Sequence, residues 1–128
     1  MDSITKALVV VGEDDSAQRD ILTEILELEG YRVLPAEDPP SLLRHLQQRP
    51  DAVLLDVVGV SNGAVMAAIR ALPWPPAVLL LSGEAQLPEL ARTMNADAFL
   101  AKPYELEALL GTLASSLDSR QKRKRVPR

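Results

Sequence analysis

Few residues in this chain can do chemistry, and they fall at four places. Glu13 and Asp14 stand together after an apolar run, Asp56 closes a second run, Ser82 ends a third, and Lys102 follows a fourth. There is no cysteine, so disulfides and thiolate metal sites are excluded, and the lone histidine, His45, makes no case for a metal site or a relay. Three carboxylates gathered in one place repel one another and invite a divalent cation. Oxygen-only ligands favour Mg²⁺, which keeps waters and phosphate oxygens in its octahedral shell. An ammonium beside them offsets negative charge and pairs with a phosphoryl oxygen, and a serine hydroxyl can donate to another. The set therefore fits phosphoryl transfer to a carboxylate, with Asp56 as the nucleophile and Glu13, Asp14 and Lys102 around it.

That chemistry requires the elements to bring these positions together. Asp51-Ala52-Val53-Leu54-Leu55-Asp56-Val57 holds four unbroken apolar residues between two aspartates, too short for a typical helix and suited to a strand buried on both faces. Lys6–Gly12, Ala77–Leu81 and Ala98–Ala101 read the same way, and Tyr31–Leu34 is a shorter strand before a loop from Pro35 to Pro40. Between them lie amphipathic stretches. Ser16 or Asp15 caps a first helix with Ile21, Leu22, Ile25 and Leu26 on one face and Gly30 as its stop. Leu42, Leu43 and Leu46 stripe a second helix, with Pro40 in its first turn. A third helix runs from about Gly63 to Leu72 and breaks at Pro73-Trp74-Pro75-Pro76. A fourth spans Leu87 to Met94, with Asn95 in the left-handed cap position. Leu106, Leu109, Leu110, Leu113 and Leu117 stripe the last. Strand and helix alternate five times, which predicts an α/β fold: a (βα)5, doubly wound, five-stranded parallel sheet with helices on both faces. In such a sheet all strand ends point to one edge, the edge where ligands bind, and Asp56 lies on the central strand.

At 128 residues, 47% of them apolar and 25% charged, the chain is one domain of ordinary globular composition. The net charge of −4 is unevenly spread, because all 18 acidic residues precede Ser119 while six of the 14 basic ones follow Asp118. The expected division is a domain over 1–118 and a basic tail or truncated linker over 119–128. An acidic body is a poor surface for nucleic acid, and no run is long enough to span a bilayer, so the cytoplasm is the expected location. Trp74 between prolines reads as a loop anchor, and His45 as a solvated residue on the polar side of its helix.

The stretches Leu8-Val-Val-Val-Gly-Glu13-Asp14-Asp15, Val53-Leu-Leu-Asp56-Val, Leu81-Ser82-Gly83 and Ala96-Asp-Ala-Phe99-Leu-Ala-Lys102-Pro103-Tyr104 together resemble the receiver domain of two-component response regulators, over roughly residues 5–117. The resemblance implies a flavodoxin-like, CheY-like sheet and a phosphorylation-controlled switch rather than a metabolic enzyme. It implies that Asp56 accepts a phosphoryl group from a histidine kinase or phosphotransfer protein. Glu13, Asp14, Asp56 and the backbone carbonyl of Val58 would hold Mg²⁺. Ser82 would bind a phosphoryl oxygen and swing inward, Phe99 would follow as an aromatic switch, and Lys102 would pair with the phosphate. A cis peptide at Lys102-Pro103 is a further implication, as is a partner or homodimer face on the last two helices.

Two departures from the family pattern set the alternatives. The segment Val57-Val-Gly59-Val60-Ser-Asn-Gly63 lacks the usual Met-Pro pair and is one residue short before its glycine, and the Ser82-to-Lys102 segment is about two residues short. One alternative is thus a receiver-like interaction domain that is not phosphorylated, because the 57–63 loop no longer supports Mg²⁺. Another is a haloacid-dehalogenase-like phosphatase, weakened because Val58 stands where that class has a second acid. A dinucleotide-binding domain is weaker still, since no Gly-x-Gly-x-x-Gly follows the first strand.

Overall fold

The computed structural model describes residues 7–56, 63–83, 92 and 95–125. Five strands, β1 (Leu8–Gly12), β2 (Arg32–Ala36), β3 (Ala52–Asp56), β4 (Ala77–Ser82) and β5 (Ala98–Ala101), pair in parallel in the order β2-β1-β3-β4-β5. The unbroken apolar runs occupy the middle of the sheet, where β1, β3 and β4 are buried at every position; the edge strands β2 and β5 are buried only in part.

Helices α1 (Ser16–Leu28), α2 (Pro39–His45), α3 (Gly63–Arg70) and α4 (Leu106–Arg125) cover the two faces. Alternation along each strand sends successive side chains to opposite sides. Val9, Val11, Leu54, Leu79 and Leu81 pack with Leu22 and Leu26 of α1 and with Leu109 and Leu113 of α4. Val10, Val53, Leu55 and Leu80 pack with Leu42 of α2 and with Val65, Met66 and Ile69 of α3. Each of the fully buried leucines contributes about 1.5–3 kcal/mol of burial free energy.

Local signals set the helix starts. Asp15, not Ser16, caps α1 by accepting from the Gln18 amide at 3.1 Å. Asp38 caps α2 in a reciprocal box with Ser41, and Pro39 and Pro40 occupy its first two positions, where a missing N–H costs nothing. Gly30 (φ 101°) and Asn95 (φ 58°) take left-handed conformations at the ends of turns.

Several details differ from the sequence reading. Pro35 belongs to β2, opposite Val11, which a proline tolerates because β2 is an edge strand. Ile21, Leu43 and Leu106 are exposed flanks of their stripes rather than core. The His45 ring is not free in solvent: Nε2 donates to the Pro35 carbonyl at 2.9 Å. The boundary drawn after Asp118 falls inside α4, whose residues 119–125 continue the helix. The 57–62 loop, including Val58, and the expected helix over 87–94 (Arg92 apart) lie outside the described residues. Among the described residues, no helix is long and apolar enough to cross a membrane.

Candidate functional site

The strand register brings the reactive groups to one depth. Gly12 is opposite Leu55, so Glu13 follows β1 level with Asp56, the last residue of β3. Asp56 pairs with Leu81, Ser82 with Ala101, and the Lys102 amide donates to the Ser82 carbonyl at 2.8 Å, which continues the ladder one step beyond β5. The chain turns toward β2 after β1 and crosses back to β3. The reversal point of the sheet therefore lies between β1 and β3, where a doubly wound sheet opens a crevice at its carboxyl edge.

In that crevice Glu13, Asp14 and Asp56 offer carboxylate oxygens that lie within 4.8 Å of one another. Glu13 and Asp56 are buried and Asp14 is exposed, so the group opens to solvent on one side. Lys102 Nζ lies 3.2 Å from Asp56 Oδ2 and 3.4 Å from Glu13 Oε1. Ser82 is buried at the neighbouring strand end. The Lys102-Pro103 peptide is cis.

The electrostatics follow from this crowding. Burial, with the nearby Asp56 carboxylate adding to it, pushes Glu13 up to about 7, against the lowering effect of the Asp15 amide and of Lys102. Burial acts to lower Lys102, but the hydrogen bond and charge of Asp56, and then Glu13, outweigh it and hold the ammonium above its ordinary value. Tyr104 is raised mainly by burial. Three hard oxygen donors with an open side fit a hexacoordinate Mg²⁺ that keeps several waters.

Other residues named from sequence stand apart from this centre. Phe99, on β5 opposite Leu80, is 43% exposed. Trp74 is at the other edge of the sheet, half-exposed beside a cleft of about 410 Å³ lined also by Arg70 and Arg123.

Two groups of contacts, one at the site and one structural, were missed from sequence. Gln18 Oε1 accepts from Lys102 Nζ at 3.2 Å, and Arg19 Nη1 donates to the Glu13 and Asp14 carbonyls at 2.8 and 3.4 Å. The signal was available, since helical side chains lean toward the N-terminus and a long polar residue in the first turn of α1 reaches back over β1. The second group is Arg120, buried at the opposite edge. Its guanidinium donates to Asp51 Oδ1 (3.0 Å), the Pro75 carbonyl (2.9 Å) and the Trp74 carbonyl (3.3 Å), while Asp51 Oδ2 accepts from the Leu8 amide at 2.8 Å. Arg120 continues the stripe of Leu109, Leu113 and Leu117 at helical spacing, a pattern hidden by the basic run around it.

A five-stranded parallel sheet in this order, with an acid cluster and a lysine at its carboxyl edge, defines a response-regulator receiver. The family model for the response regulator receiver domain matches residues 9–114, and the chain belongs to that family. Transcriptional regulatory protein PrrA of Mycobacterium tuberculosis is 32% identical over 122 residues, 91% of this chain and 52% of PrrA. Transcriptional regulatory protein CpxR of Escherichia coli K12 is 28% identical over 112 residues, 85% of this chain and 48% of CpxR. The chain thus spans about half the length of these curated relatives. Among solved structures, a CheY-like receiver domain from Methanospirillum hungatei JF-1 superposes with a TM-score of 0.83 at 24% identity, covering 93% of this chain and 99% of that one. NtrX of Brucella abortus superposes with a TM-score of 0.81 at 26% identity, covering 94% of this chain and 29% of that one. The (βα) order, the flavodoxin-like sheet and the acid cluster are those of a two-component receiver domain.

Proposed function

We propose that this domain is a phosphorylation-controlled switch in which Asp56 accepts a phosphoryl group from a histidine kinase or phosphotransfer protein. The observation that carries the reading is the approach of Lys102 Nζ to within 3.2 Å of Asp56 Oδ2, with three carboxylates clustered beside it. A carboxylate oxygen of Asp56 attacks phosphorus, the donor's bond to phosphorus breaks, and an acyl phosphate forms as the donor leaves with its electron pair. Lys102 pairs with the transferred group, and the buried Ser82 hydroxyl donates to one of its oxygens. Glu13, Asp14 and Asp56, with the backbone carbonyl of Val58, would hold Mg²⁺; when bound, it offsets the charge on the transferring oxygens. Movement of Ser82 and Phe99 toward the phosphate then shifts a pre-existing equilibrium of the face near β5 and α4, where the half-exposed Leu106 and Phe99 are available to a partner or a second copy. The names of CpxR and PrrA support a transcriptional output in a longer protein.

The test is incubation of the chain with acetyl phosphate, with Mg²⁺ and with chelator, followed by intact mass. The reading expects one added phosphoryl group that requires Mg²⁺ and is absent from Asp56→Asn. Absence of labelling in the wild type, with no effect of Mg²⁺ titration, favours a constitutive interaction domain whose altered 57–63 loop has lost the metal.

A further inference from the structure

We propose that Gln18 is a positioning residue for Lys102, a role that rests on the phosphoryl-transfer reading and adds a residue to it. An ammonium has three N–H donors. Lys102 has three acceptors among the described residues: Asp56 Oδ2 at 3.2 Å, Gln18 Oε1 at 3.2 Å and Glu13 Oε1 at 3.4 Å. The three directions are thus matched by oxygens from β3, from α1 and from the end of β1.

The Gln18 contact is not an isolated surface bond, because it closes a ring. Glu13 Oε2 accepts from the Asp15 amide at 3.1 Å, and Asp15 Oδ1 accepts from the Gln18 amide at 3.1 Å. Gln18 Oε1 then accepts from Lys102, and Lys102 returns to the other oxygen of Glu13. Arg19 pins the same acidic turn from outside by donating to the carbonyls of Glu13 and Asp14. The cap of α1, the acidic pair and the lysine are therefore one hydrogen-bonded unit, and Gln18 is the member that ties the lysine to the helix.

The residue type matters. A glutamate at position 18 would hold the ammonium more tightly and add a further carboxylate beside those already clustered at Glu13, Asp14 and Asp56. An aliphatic residue would leave one N–H to water and the lysine held by the Asp56 and Glu13 carboxylates alone. A neutral amide holds the ammonium without competing strongly for it when a phosphoryl group arrives on Asp56. Fixing a charged group before the reaction removes its reorganisation from the barrier.

Gln18→Met keeps the length and helix propensity of the side chain and removes the acceptor. In the full chain with acetyl phosphate and Mg²⁺, the expected result is labelling of Asp56 slowed roughly twofold to fivefold, the range set by one exposed hydrogen bond to a charge. In a Lys102→Ala background the same substitution should have no further effect, since Gln18 acts through the lysine. The second measurement needs no phosphate: the Lys102 ammonium cross-peak in nitrogen–proton NMR is expected to be sharp in the wild type and to broaden or vanish in Gln18→Met. Labelling at the wild-type rate with an unchanged cross-peak overturns the proposal, as does an equal slowing in both backgrounds. A wild type that takes up no phosphate while Gln18→Met still loses the cross-peak overturns the phosphoryl-transfer reading and leaves the positioning of Lys102 standing.

Discussion

Replacing Arg120 by methionine should unfold the domain more easily, although the residue lies in a stretch that reads as a basic tail. Methionine keeps an apolar stem of similar length and removes the guanidinium. That group is 7% exposed and makes three hydrogen bonds, to Asp51 Oδ1 and to the carbonyls of Trp74 and Pro75. Hydrogen bonds from a charged donor are worth about 1.5–3 kcal/mol when buried, and leaving acceptors unmatched adds to the loss. Asp51 is 32% exposed, so water recovers part of its share. The net loss is about 2–4 kcal/mol. For a domain of this size that lowers Tm by roughly 10 °C. Urea denaturation followed by circular dichroism should show a lower midpoint at unchanged slope. Lys122→Met is the control, since the Lys122–Asp118 pair is exposed on both sides (73% and 68%) and should change stability by no more than about 0.5 kcal/mol. In about 0.5 M NaCl the small effect at Lys122 should vanish while the Arg120 effect persists, because buried pairs are screened less. Equal and small losses for the two variants would refute the claim that residues beyond Asp118 are part of the folded unit.

The acid cluster gives a pH prediction. Glu13 is raised from 4.5 to about 7, so the folded state holds a proton that the unfolded state releases, and stability falls as pH rises from about 5 to about 7. In chelator, wild type should lose on the order of 2 kcal/mol across that window, whereas Glu13→Gln should be nearly flat, as read by urea midpoints at pH 5 and pH 8. At pH 8, Mg²⁺ at about a hundred times its dissociation constant should restore about 2.7 kcal/mol to the wild type, and Asp14→Asn together with Glu13→Gln should abolish that gain. Leu54→Ala, in the fully buried middle of β3, should cost about 2–5 kcal/mol and leave the Mg²⁺ response intact.

The edge where the chemistry gathers was legible because unbroken apolar strands alternating with helices stack in parallel, and each ends abruptly in a polar residue. Once β1 and β3 are neighbours in register, Glu13 must face Asp56. Lys102 could be placed for the same reason, one step past the strand that pairs with Ser82. What was not legible depends on side-chain reach and sheet position. A stripe of apolar residues does not say where its exposed flank begins, and Ile21, Leu43 and Leu106 belong to their stripes yet lie outside the core. Pro35 looks like a loop residue unless its strand is known to be an edge. Arg120 shares its composition with a solvated tail, and only its spacing from Leu113 and Leu117 marks it as inward-facing. Gln18 carries no charge to draw attention, yet its side-chain oxygen accepts from the Lys102 ammonium.

A switch of this kind depends on which atom carries the phosphoryl group. Wild-type chain labelled with acetyl phosphate and Mg²⁺, trapped by borohydride reduction and mapped by peptide mass, should place the modification on Asp56 alone, with uptake strongly reduced in Lys102→Ala. A label on another residue, or an Asp56→Asn chain that takes up phosphate as readily as the wild type, would contradict it.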